Sequence, residues 1–248
     1  VTPEEFQRRR LTIAAGLRGV LLPLTRLLRP GIPAAEWAAW VAAAYPAVYR
    51  ARIEHWEIAQ AFYREERRRI LGAAGPVDFP RRDYAPAALA AGLDRVRPAP
   101  RPVEVEEDED TPRRQTEIEE ILAVAERHAA AGGREAMVDA ARHDPDALGY
   151  ARTTVGLENC AFCLMLVSRG PVYKTQSAAL LRDGTSEPYH DRCDCIATPV
   201  FNRASWPGRD EYLEMRAAWA EHGGDLTTWR RYIESRETDE AGAGRRSA

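Results

Sequence analysis

Lysine is nearly missing from this 248-residue chain: among 35 basic residues only Lys174 is lysine, and asparagine occurs only at positions 159 and 202. With alanine abundant, that usage is the mark of a GC-rich genome and concerns origin, not chemistry. Long apolar runs are missing too. The longest uncharged stretch, Trp37 to Tyr49, has 13 residues, against the roughly 20 that a membrane-crossing helix needs, so no membrane span is expected. The arginines at positions 8–10 precede an apolar run that Arg18 interrupts and that has no clear small-residue cleavage site. A signal peptide is therefore not expected, and the protein is read as made and kept in a cytoplasm. Cysteine is scarce, with four residues, while 45% of the chain is hydrophobic and 29% charged. Those values exclude a disulfide-dense miniprotein and wholesale disorder.

Charge is present but unevenly placed. Residues 1–103 hold 17 arginines against 10 acids, residues 104–110 (EVEEDED) hold six acids, and the formal total is only −3. A basic front half could attract nucleic acid or an acidic protein surface, although solvated helix faces are the simpler reading of such charge.

Apolar residues recur at three- and four-residue steps from Pro3 to Leu28 and again from Pro33 to Leu71, the helical period. Pro23 should break the first helix, Pro46 should kink or split the second, and Pro30-Gly31-Ile32-Pro33 reads as the turn between them. Residues 1–97 thus read as a helical hairpin region with a shorter helix from Ala85 to Arg97. Prolines 98, 100 and 102 and the acidic run make 98–112 a linker. Helical pattern resumes over 113–149, interrupted at Gly132-Gly133, and residues 151–155 are strand-like. Residues 202–237 read as short helices and 238–248 as a disordered tail. Most of the front-half aromatics, among them Trp37, Trp40, Trp56 and Tyr63, read as core, with some left for an interface.

All four cysteines fall within 36 residues, as Cys160-x2-Cys163, a 26-residue gap, then His190-x2-Cys193-x-Cys195. Two close pairs of soft thiolates with a nearby imidazole suit tetrahedral Zn²⁺, and with five candidate ligands one is spare. A redox or disulfide pair and plain packing are the alternatives. A catalytic arrangement must also be weighed, because Ser168, His190 and Asp191 or Asp194 have the residue types of a hydrolytic triad and Glu158 is the nearest acid to the first pair. Four or five available ligands favour a closed, structural site.

The segments Glu158–Leu166, Ser168–Tyr173, Tyr189–Cys195 and Pro199–Phe201 resemble the phage Mu F-like minor head proteins, particularly those of phages of actinobacteria, with the resemblance concentrated in residues 150–201. It implies a low-copy minor capsid protein, made in the host cytoplasm and then held in the virion interior. Its partners would be the phage portal and the major capsid or scaffold proteins, with possible contact to packaged DNA. The metal role carries over to Cys160, Cys163, His190, Cys193 and Cys195, as structural Zn²⁺. Some relatives are labelled capsid maturation proteases; no matching protease triad is visible, so an enzyme is the less favoured alternative. The fold expected is mainly α with a small α+β zinc-stapled module at 150–201.

Overall fold

A computed structural model describes residues 1–100, 112–155, 159–172 and 195–244, with side chains as far as Arg236. The chain is mainly helical: α1 (Pro3–Arg26), α2 (Ala34–Leu71), α3 (Pro86–Leu93) with a 3₁₀ turn after it (Asp94–Val96), α4 (Pro112–His143), β1 (Gly149–Thr153), α5 (Ala161–Ser168), β2 (Ile196–Val200), α6 (Arg209–His222) and α7 (Leu226–Gly244). It divides into two compact units. The first takes the described residues of Val1–Glu65 and Phe79–Ala136; the second takes Glu66–Asp78 and the described residues from Met137 onward. The predicted linker lies mostly outside the described residues. The backbone is helical past Thr238, where the sequence pattern alone suggests a disordered tail.

In the first unit, α1 starts sharply because Thr2 caps it, its hydroxyl accepting the Glu5 N–H at 3.2 Å, with Pro3 in the first turn. Phe6 stacks on Phe62 with centroids 4.7 Å apart, which pairs the start of α1 with the far part of α2 and makes the two antiparallel. At the other end the buried Arg114 guanidinium of α4 donates to the carbonyl oxygens of Thr25 at 3.3 Å, Arg26 at 3.4 Å and Leu28. A cation placed on these last-turn carbonyls satisfies acceptors the helix cannot and complements its dipole. Arg18 pairs with Glu119 and Glu126 of α4, the latter at 3.0 Å, so α4 runs antiparallel to α1 and parallel to α2. Leu17, Leu21, Trp37, Val41, Ala44, Val48, Ile121, Leu122 and Ala125 fill the space between the three helices.

Neither Pro23 nor Pro46 ends its helix. Each proline forfeits the bond to the carbonyl four residues back, and those residues, Gly19 and Ala42, are exposed together with the prolines themselves, so water can take the lost partner's place. The Gly132-Gly133 interruption is likewise absent. The two glycines lie inside a continuous α4, where a Cβ on Gly132 would sit 2.3 Å from the Arg52 carbonyl oxygen and one on Gly133 2.7 Å from that of His55. The glycines are a contact, not a stop: they let the α2 and α4 backbones touch.

Burial at this crossing reaches polar groups. Arg52 donates to the His128 carbonyl at 2.9 Å and pairs with Glu135. His55 is 4% exposed, and burial, reinforced by the charges of Arg10 and Arg134, pushes its pKa down to about 3. Of the aromatics Trp37, Trp40, Trp56 and Tyr63, the first two and Tyr63 are core residues and Trp56 is half-exposed.

The crossing predicts opposite signs for one type of substitution. Gly132→Ala should lower stability by about 1–3 kcal/mol, whereas Gly16→Ala in α1, where a Cβ meets nothing within 4 Å, should raise it by up to about 1 kcal/mol through helix propensity. Urea unfolding midpoints measure both. His55 makes a pH prediction. The unfolded chain protonates it below about 6.5, the folded chain only near 3, so the unfolded state binds the extra proton and stability falls as pH drops through that window. Between pH 7 and 4.5 the loss in His55→Gln should be smaller than in the parent by about 2 kcal/mol; identical losses would show that His55 does not titrate in this way.

Candidate metal centre

The second unit is built around a two-stranded antiparallel sheet, with Gly149 opposite Val200 and Thr153 opposite Ile196. Every position of both strands is buried, and Ala151 and Val200 pack with Trp206 and Tyr212. Pro199 sits in mid-strand opposite Tyr150. Each strand of a two-stranded sheet keeps one open edge, the place where a residue without an N–H is tolerated.

Helix α5 packs on β1, α6 and α7. Its start is fixed twice. Cys160 is the N-cap, in extended conformation, and its sulfur accepts the Cys163 N–H at 3.3 Å; the fully buried Trp229 of α7 donates its indole N–H to the Ala161 carbonyl at 2.7 Å. The C-x2-C spacing therefore places both thiols on the first turn of one helix, Cys160 exposed and Cys163 buried.

Cys195 immediately precedes β2 and is buried. Arg152, 0% exposed in mid-β1, donates from Nη1 to the Cys195 sulfur at 3.2 Å. Close by, the Thr154 backbone N–H donates to Glu211 of α6 at 3.4 Å and its hydroxyl donates to the same carboxylate. Burial raises the Glu211 pKa against the lowering effect of those two bonds.

The five predicted ligands divide as follows. Cys160 and Cys163 come together through the cap, and Cys195 lies beside Arg152; His190 and Cys193 fall outside the described residues, as do Glu158, Asp191 and Asp194. Among the described residues no group of three or more His, Cys, Asp or Glu is placed to hold a metal. The donor chemistry of the thiols present does fit zinc: one sulfur accepts a backbone N–H at a helix N-terminus and another accepts a guanidinium N–H, both settings that favour the thiolate a zinc ligand must be. Ser168 is buried at the end of α5 and its hydroxyl donates to the Met165 carbonyl at 2.7 Å.

Arg152, Thr154, Glu211 and Trp229 are not recognisable as partners of the cysteine cluster from spacing. The one available signal was Arg152 itself, a charged residue inside a strand-like segment.

A family profile described as VG15 protein matches residues 3–222. The chain is similar to the gene 15 protein of Mycobacterium phage D29, 27% identical over 241 aligned residues that cover 85% of this chain and 84% of the relative. It is also similar to the gene 15 protein of Mycobacterium phage L5, 27% identical over 259 aligned residues that cover 89% of this chain and 85% of the relative. No solved structure matches it significantly.

Proposed function

The chain belongs to the VG15 protein family, and from that premise we propose that it is a phage minor capsid protein of the Mu F-like kind, acting in head morphogenesis rather than as an enzyme. The observation that carries the reading is the match, over most of both chains, to gene 15 proteins of two Mycobacterium phages, joined to the C-x2-C and H-x2-C-x-C arrangement of residues 160–195. Made in the host cytoplasm, the protein would enter the capsid interior with the portal and with major capsid or scaffold proteins. No described helix is long and apolar enough to cross a membrane.

The cysteine cluster then serves as a structural staple. Cys160, Cys163, Cys193 and Cys195, with His190 as the fifth candidate, would hold one Zn²⁺. Bound there, the ion supplies local folding free energy rather than an activated water. The chain's own residues prepare two of those sulfurs: the α5 N-terminus accommodates negative charge at Cys160, and Arg152 does so at Cys195. Protein purified without chelator should contain one zinc per chain by elemental analysis. Cys160→Ser should lose the metal yet keep the cap, since serine is a strong N-cap residue; zinc retained at full stoichiometry in that variant would remove Cys160 from the ligand set.

Assembly and peptidase roles separate experimentally at Ser168. Its hydroxyl is engaged with its own helix and buried, which favours the assembly reading. Heads assembled with the portal, scaffold and major capsid genes should carry the protein at low copy, and Ser168→Ala should leave the capsid-protein cleavage pattern unaltered. Loss of processing in a variant that still folds and enters heads would replace the assembly reading with a maturation protease.

A further inference from the structure

The α1–α2 hairpin of the first unit has two broad sides, and α4 packs on one of them. On α1, Arg18 turns toward α4 and pairs with Glu119 and Glu126. Val20 and Leu27, two and nine residues further on, are rotated from Arg18 by about 180–200° at 3.6 residues per turn. On α2, Arg52 meets α4 at Gly132, and Ala43, nine residues earlier, is rotated from it by about 180°. Val20, Leu27 and Ala43 therefore share the side of the hairpin away from α4. That side is open and uncharged. Leu27 is 75% exposed and Val20 54%, and Ala39, Ala43 and Pro46 are exposed. No exposed residue from Leu11 to Thr25 or from Trp37 to Tyr49 carries a charge, in a chain of which 29% is charged. The charges that end this face on α2 are Glu36 and Arg50. Each stands seven residues from Ala43, so the three fall nearly in line along the helix. Both are exposed, and among the described residues neither finds an ion partner.

We propose that this face holds a second copy of the chain, in a symmetric antiparallel dimer whose twofold axis passes beside Ala43. The charge pattern selects that occupant. A twofold axis at Ala43 places Glu36 of each copy opposite Arg50 of the other, so two charges that are unpartnered within one chain satisfy each other twice. A parallel pairing would instead set Glu36 on Glu36 and Arg50 on Arg50. Between the charged ends the seam consists of Ala39, Ala43 and Pro46, short side chains that let two helices approach closely. Val20 and Leu27 border it with the branched apolar surface whose burial drives association. The size agrees. A face about 25 Å long and 20 Å across gives roughly 1,000 Å² over two copies, the lower limit for a specific interface. The dimer is accordingly a weak one, dissociating in the micromolar range. The inference goes beyond the head-assembly reading and rests on the first unit alone, so it stands or falls separately from the zinc centre and from residence in the head.

The test is sedimentation equilibrium of the full chain, with a phosphine reductant present, from about 1 to 200 µM protein at about 0.15 M salt. The weight-average mass should rise with concentration from the chain's 27.7 kDa toward twice that value. Glu36→Arg and Arg50→Glu should each weaken association by at least about tenfold, because each sets like charges together at both ends of the seam. Mixed in equal amounts, the two variants should associate about as tightly as the parent, since every contact between positions 36 and 50 is then arginine on glutamate. Ala43→Glu should abolish the dimer by placing two carboxylates at the axis, and circular dichroism should be unchanged in every variant. A chain that stays monomeric throughout, association that continues beyond two copies, or a dimer indifferent to the single charge reversals would overturn the proposal. So would folded single variants that fail to associate when mixed, which would exclude the antiparallel pairing of Glu36 with Arg50.

Discussion

At Gly132 and Gly133 the main chain of α4 comes against the carbonyls of α2 with no side chain of its own between them, and the arrangement of the first unit follows from how close they come. The carbonyls of Arg52 and His55, together with the Arg52 Cγ, occupy the space where a Cβ would be, and the ends of those two side chains reach out from the contact in different directions. Arg52 goes toward Glu135 and Tyr84. His55 goes into the interior, where it stays neutral. A buried neutral imidazole and a buried, paired guanidinium thus flank one backbone approach.

The helices themselves were legible, because three- and four-residue apolar spacing is a direct consequence of helical geometry. The misread points share a cause. Pro23, Pro46, Gly132 and Gly133 all weaken a helix in isolation, and whether a helix survives them depends on what surrounds the backbone there. Water does so at the prolines, and another helix at the glycines. Neither is written in the local sequence.

The second unit was legible as a cluster of cysteines and as a strand near Ala151, and less so beyond that. Helix α5, from Ala161 to Ser168, is apolar nearly all round, so it has no periodicity to detect; the helix is held by its cap and by contacts from α6 and α7. Strand β2 contains a proline, which argues against a strand unless the sheet is known to be narrow. The Cys195 thiol meets Arg152 across 43 residues, and the start of α5 meets Trp229 across the 68 residues from Ala161, separations at which spacing rules carry no information.

The cap that Arg114 places on α1 has a consequence for how this chain can diverge. All three acceptors, at Thr25, Arg26 and Leu28, are main-chain carbonyls, and every amino acid supplies one. The closing turn of α1 can therefore change its side chains without altering the joint, while position 114 must keep a long, forked donor in the right place. One side of the contact is open to drift and the other is not, so a family can lose recognisable sequence in that turn and still fasten α1 to α4 in the same way.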